Sequence, residues 1–428
     1  MAVKATDIQR TIEAVWRIEQ ARLIAGLMRL VRDVGLAEEL AQEALVMALE
    51  RWPATGLPER PGAWLMATAK HRAIDLFRSR SLQHRKHAEL EREVEILQEM
   101  EGMERGEALD DDIGDDLLRL VFTACHPVLP PDARVALTLR LLCGLSTAEI
   151  ARAFLTAEPT IAQRIVRAKR TLKEAGVPFE TPRGWDRTER LQSVLEVVYL
   201  VFNEGYAATA GEDWMRPALC EEALRLGRIL VGLVPDEAEA HGLLALMEIQ
   251  ASRAKARTGP DGEPILLLEQ DRSRWDHLLI RRGLTALERA EALSKRLGTY
   301  GLQAAIAACH ARARTAAETD WIRIAALYAA LAQLAPSPVV ELNRAVAVAM
   351  AFGPEAGLAL VDELAAEPML EDYHLLPSVR GNLLQQLGRL AEAAAAFEQA
   401  AGLARNARER KLLLDRASAC GQARDGQA

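Results

Sequence analysis

Apolar residues recur near helical spacing through most of this chain. Ile8, Ile12, Val15, Ile18, Leu23, Leu27, Leu30 and Val31 sit close to a three-or-four-residue repeat and predict a helix over residues 8–32. Leu36, Leu40, Leu45 and Leu49 predict a second over 36–51, which Pro53 is expected to stop because proline offers no amide hydrogen and crowds the preceding turn. A loop with Pro53, Gly56, Pro58, Pro61 and Gly62 then leads into a third helix, Trp64 through Arg78. Further on, Ser146-Thr-Ala-Glu149 has the spacing of a capping box, in which hydroxyl and carboxylate satisfy the first amides of a helix. It opens a short helix, 147–155. A second helix begins near Pro159 and ends at Gly176, with Ile161, Ile165, Ala168 and Leu172 as its inward stripe.

From about residue 185 the pattern stays helical to the end. Leu-Val-Pro at 233–235 and Leu-Ala-Pro at 334–336 close similar helices 101 residues apart, near three tetratricopeptide periods of 34. Gly388, Leu390, Ala393, Phe397 and Ala400 repeat the small–large rhythm of such a helix pair. Ala, Leu, Glu and Arg dominate, aromatics are 4%, and β-branched runs are almost absent. The fold class is therefore all-α. At 428 residues, two to four domains are expected.

The net charge of −8 conceals a segregation. Arg60–Glu89 has a net charge of +5 and Glu158–Lys173 one of +4, while Glu89–Asp116 between them has −11. The acidic stretch lacks a sustained apolar face and reads as a flexible linker. Two short helices joined by a tight turn, the second strongly basic, form a helix-turn-helix signature. On that second helix Thr160, Gln163, Arg164 and Arg167 project together, with Lys169 and Arg170 at their flank. Arg and Gln suit base edges, and the remaining cations suit phosphate. The competing reading is a solvated basic face.

The first basic helix carries Leu65, Ala69, Arg72, Ile74, Asp75 and Arg78 in the order found in extracytoplasmic-function (ECF) sigma factors, which the chain resembles over residues 10–178. The resemblance implies that this helix and the loop before it capture the −10 promoter element. Trp64, Lys70, His71, Arg72, Arg78 and Arg80 are then the −10 contacts, and Thr160, Gln163, Arg164, Arg167, Lys169 and Arg170 the −35 contacts. At position 71 the family commonly has Asn rather than His. The acidic helix with Asp33, Glu38, Glu39, Gln42 and Glu43 is similar to the family's surface for the clamp helices of RNA polymerase. Core RNA polymerase and promoter DNA are the implied partners. The remainder resembles a subgroup with a C-terminal tetratricopeptide-like extension, its landmarks being Val201–Tyr206 and Leu266–Asp276.

The expected organisation is a sigma helical bundle at 8–82, an acidic linker at 83–114, a helix-turn-helix domain at 115–178 and a helical extension at 185–424. No cofactor or metal is expected. Cys125-His126 suits a buried thiol before a turn better than zinc, and the five scattered cysteines suggest reduced thiols. No secretory pattern or long apolar run is visible, so the cytoplasm is the expected location. An enzymatic reading of Glu204, Asp271 and Asp276 lacks any phosphate loop or paired ligand spacing. The rival function is a helix-turn-helix regulator with a tetratricopeptide sensor, which needs neither the acidic helix nor the Trp64–Arg80 helix. A pure scaffold would leave both basic helices unexplained. The sequence names no anti-sigma partner, and control by the fused extension is an open expectation.

Overall fold

A computed structural model describes residues 2–83, 113–154, 156–207, 215–259 and 263–425. The acidic linker expected at 83–114 lies almost wholly outside them. Among the described residues the regular structure is helical, with no strand. The chain forms two compact units, Met1–Val198 and Tyr199–Ala428, and the division falls within a single helix.

In the N-terminal unit, α1 (Ala2–Val31) is followed by α2 (Val34–Thr55) and α3 (Pro61–Gln83). Asp33 starts α2, its carboxylate accepting from the Leu36 amide at 3.1 Å. Pro53 does not end this helix. It occupies the last turn, which continues to Thr55 and closes at Gly56, where φ is +84° and glycine carries no steric penalty. A proline this near the end removes little helical bonding. Trp52 also anchors the turn, being fully buried and edge-on to Trp64 at 5.2 Å.

The buried face of α2 also differs from the leucine stripe. Ala37, Leu40, Ala41, Ala44 and Ala48 face inward, and Leu49 is 39% exposed. Small side chains let α1, α2 and α3 approach closely, so alanine outcompetes leucine for the inner face. Ile18 on α1, likewise expected inside, is 64% exposed.

The second half of this unit comprises α4 (Ile113–Ala124), α5 (Pro131–Leu141), α6 (Thr147–Ala153) and α7 (Glu158–Glu174). The capping box is formed, with the Ser146 hydroxyl accepting from the Glu149 amide at 3.2 Å and the Glu149 carboxylate from the Ser146 amide at 2.7 Å. Ile161, Ile165, Ala168 and Leu172 are all buried, as their spacing predicts. The next helix, α8 (Gly184–Tyr206), fastens to α4 and α5: Arg190 donates to the Phe122 carbonyl at 3.1 Å, and Arg134 reaches Glu196 at 2.9 Å. Cys125 lies within this joint, its sulfur 3.3 Å from the Thr138 hydroxyl, and burial pushes its thiol up to about 11.

The C-terminal unit stacks α9 (Pro217–Leu233), α10 (Ala238–Ala251), α11 (His277–Leu293), α12 (Thr299–Arg312), α13 (Trp321–Leu334), α14 (Pro338–Phe352), α15 (Pro354–Leu364), α16 (Leu375–Gln386), α17 (Leu390–Leu403) and α18 (Ala407–Asp425). From α13 onward each helix packs chiefly on its neighbour in sequence, the arrangement of a helical repeat. The two similar proline-terminated segments close alike: Val234 and Ala335 leave the helix at φ −131° and −135°. Phe397 fills the centre of the last helices and sits so close to Gly381 that an added Cβ would meet its ring at 2.9 Å.

Candidate nucleic-acid interface

On α7, Thr160, Gln163, Arg167 and Arg170 are exposed, and with Val166, 64% exposed, they form a continuous outward face. Val166 was not among the residues singled out from the sequence, which assigned only polar side chains to the outward face. Arg164 is half-buried and meets Asp132 on α5 at 3.3 Å. Lys169 leaves this face and forms an ion pair with Glu38 on α2.

On α3, His71, Arg72 and Arg78 are exposed, and Arg72 lies 3.6 Å from Glu43. Lys70 is only 9% exposed, and Trp64 is half-buried against Trp52. The side chain of Arg80 lies outside the described residues. The acidic set on α2 divides as well. Glu39 and Glu43 point to solvent beside exposed Val46 and Leu49. Glu38 is 3% exposed and receives the Arg140 guanidinium at 2.6 Å, the Gln42 amide at 2.7 Å and the Lys169 ammonium. Burial pulls the Asp33 carboxyl upward, but the Lys173 ammonium, at 2.7 Å, and the Leu36 and Gly35 amides outweigh it and hold it below its usual value.

The two landmarks of the C-terminal unit converge through an arginine that the sequence had not marked. Arg253 donates to the Tyr206 hydroxyl at 2.6 Å and lies 5.9 Å from the Trp275 ring centre. Arg257 covers the Tyr206 ring at 3.6 Å, and Arg272 covers Trp275 at 4.8 Å. Arg272 also donates to the His310 and Ala313 carbonyls at 2.5 and 2.7 Å. The carboxylates considered for chemistry have local structural duties. Glu204 pairs with Arg216, Asp271 accepts from the Ser273 amide, and Asp276 caps α11. No cluster of three metal-ligating side chains occurs among the described residues.

His310 lies edge-on to Trp321 in this network. Burial, with Arg253 and Arg272 adding to it, lowers its pKa from 6.5 to about 4. The unfolded chain therefore binds the proton more readily, so stability is full above about pH 6.5 and declines as pH falls toward 4. The loss should reach about 3 kcal/mol. Thermal melts from pH 7 to pH 4 should show it, with a smaller slope in His310→Gln; equal slopes would exclude this role.

Two segments match sigma-70 models: region 2 over residues 16–83 and region 4 over 119–172. They contain the Trp64–Arg78 helix and the capped α6–α7 pair. The chain belongs to the ECF-like sigma-70 family. Residues 190–291 match a family of unknown function, DUF6596. A relative from Rhizobium meliloti (strain 1021), named uncharacterized protein R00370, is 45% identical over 392 residues, covering 90% of each chain. The probable ECF RNA polymerase sigma factor SigI of Mycobacterium tuberculosis (strain H37Rv) is 28% identical over 169 residues, 39% of this chain and 56% of that protein. The matched regions make this chain a sigma factor for promoter-directed transcription, joined to a helical extension. No helix among the described residues is long and apolar enough to cross a membrane.

Proposed function

We propose that this sigma factor binds core RNA polymerase through α2, captures the −10 element with α3 and reads the −35 element with α7. The observation carrying this reading is the outward face of α7 behind a formed capping box, preceded in the same chain by the Trp64-anchored basic helix. Gln163 and Arg167 suit base edges, and Val166 suits a thymine methyl group. Arg170 suits phosphate, which gives affinity that falls with salt. On α2, Glu39 and Glu43 beside Val46 and Leu49 form a mixed acidic and apolar strip suited to a basic helical partner. On α3, Trp64 and His71 are assigned to an unpaired base, and Arg72 and Arg78 further along the helix to the backbone beside it. The mechanism is recruitment, with no bond made or broken by the protein. We assign the helical extension to modulating this activity.

The test of −10 capture is binding of the protein–polymerase complex to a promoter fork whose −10 strand is unpaired. Binding to the fork should exceed binding to the fully paired promoter, and Arg78→Ala should reduce the difference. Equal binding to both, without any need for polymerase, is the behaviour of a duplex-binding regulator and would replace this reading.

A further inference from the structure

Between α10 and α11 the C-terminal unit contains a cleft of about 640 Å³, lined by Lys255, Thr258, Ser273, Arg274, Trp275 and Asp276. That volume lies within the range of small-molecule sites. Its walls carry two short 3-10 turns, Ala254–Ala256 and Arg272–Arg274. They are fixed to each other: the Asp276 amide donates to the Ser252 carbonyl at 2.8 Å, and Trp275 packs with Ala256 and Ile280. The side chains facing the cleft are therefore held by the fold before anything enters it.

The charges around this cleft do not balance. Arg216 pairs with Glu204, and Arg228 with Glu248 at 2.9 Å, as half-buried arginines ordinarily do. Among the described residues, by contrast, no carboxylate lies within ion-pair distance of Arg253, Lys255, Arg272 or Arg274. Arg253 and Arg272 flank the Trp275 ring at 5.9 and 4.8 Å and bond only to hydroxyls and carbonyls, and Glu318 acts on Arg272 from farther away. The two acids nearest the cleft are already engaged. Asp276 accepts from the Leu278 and Leu279 amides at 2.9 and 3.1 Å, and Asp271 from the Ser273 amide and hydroxyl at 2.9 and 2.7 Å. A donor is also unmatched: Trp275 is 4% exposed, and its indole N–H has no acceptor among the described residues. Unpaired cations in a concave, partly dry site focus a positive potential there, and a buried donor without an acceptor keeps its full desolvation cost. One small anion would answer both.

We propose that this cleft is a binding site for a small oxyanion, a phosphate- or carboxylate-bearing molecule held by Lys255 and Arg274. Thr258 and the Trp275 indole supply further donors, and Arg253 and Arg272 beside the Trp275 ring add their field. Arginine suits such a ligand because its planar fork meets two oxygens at once. A duplex backbone fits less well, since it spreads its phosphates over a long convex surface, whereas these cations converge on a cleft. Arg253 also donates to the Tyr206 hydroxyl at the end of α8, so the wall of the site reaches the helix that enters this unit. The site stands on the C-terminal unit alone and does not depend on the promoter-binding reading.

Isothermal titration of the full chain with pyrophosphate, inorganic phosphate and citrate, at constant ionic strength, tests this. At least one of the three should bind saturably; a stronger response to the phosphates marks a phosphate ester as the ligand, and a stronger response to citrate a polycarboxylate. Lys255→Ala and Arg274→Ala should each weaken that binding roughly tenfold, the loss of one charge-assisted contact. Trp275→Phe keeps most of the apolar ring but removes the N–H, and should weaken it roughly fivefold. Lys255 and Arg274 are exposed, so their variants should melt with the parent when no anion is present. Arg405→Ala, an exposed arginine on the loop before α18, should bind as the parent does. Absence of saturable binding by all three anions would overturn the site. So would undiminished affinity in all three cleft variants, or an equal loss in Arg405→Ala, since either makes the bound anion adventitious. A random-sequence duplex that binds through Lys255 and Arg274 while the small anions do not would overturn it in favour of a contact with DNA backbone.

Discussion

A chain carrying Arg164→Ala and Arg167→Ala should lose most of its affinity for the −35 element while remaining folded. Each arginine that reads a guanine contributes about 1–3 kcal/mol of discrimination, so the pair should cost about 2–6 kcal/mol, less any coupling between neighbours. The two are not equivalent. Arg167 is free to meet DNA as it stands, whereas Arg164 must first leave Asp132 and so return less on binding. The single Arg167→Ala change should therefore cost more than Arg164→Ala. Arg170→Ala should weaken all sequences alike and reduce the salt dependence by about one phosphate contact. Anisotropy titrations with cognate and scrambled −35 duplexes at several salt concentrations separate these effects. A double variant with undiminished preference for the cognate duplex would remove α7 from the reading role.

Trp52→Ala should be the most damaging single change in the N-terminal unit. Its side chain is 1% exposed and packs edge-on against Trp64, so truncation removes a large apolar surface and leaves a cavity where α2 ends and α3 begins. Such losses cost about 3–5 kcal/mol, a large part of the stability of an ordinary domain. The functional loss should exceed the structural one, because Trp64 is itself assigned to the −10 element and Trp52 sets its position. Trp52→Phe, which keeps much of the apolar volume, should recover most of the stability. Melting curves and promoter-opening assays on both variants test this, and an alanine variant melting within a degree or two of the parent would contradict it.

What the sequence revealed follows from the range of the forces involved. The capping box, the stripe Ile161–Leu172 and the matching ends at Val234 and Ala335 all depend on residues within a turn or two of one another, and all are present. The stripe on α2 held at Leu40 and not at Leu49, because burial there is decided by how closely α1 and α3 approach, which favours alanine over a second leucine. Pro53 misled for a related reason: its effect depends on whether the helix has further bonds to lose. Among site residues, exposure of Gln163, Arg167 and Arg170 follows from local periodicity. The burial of Glu38 and Lys70 does not, since Glu38 meets a partner 102 positions away. Arg140 and Arg253 had no local signal at all. Each looks like an ordinary helix-end arginine until the fold brings its partners together.

Reconstituting purified protein with core RNA polymerase and measuring run-off transcription from a cognate promoter, with complex formation followed in parallel, separates a sigma subunit from a duplex-binding regulator. A stable complex with core enzyme and transcripts starting at one defined position are expected, both lost when Glu39 and Glu43 are changed together to lysine. A protein that binds the promoter duplex by itself, forms no complex with core enzyme and yields no transcript would contradict the sigma role.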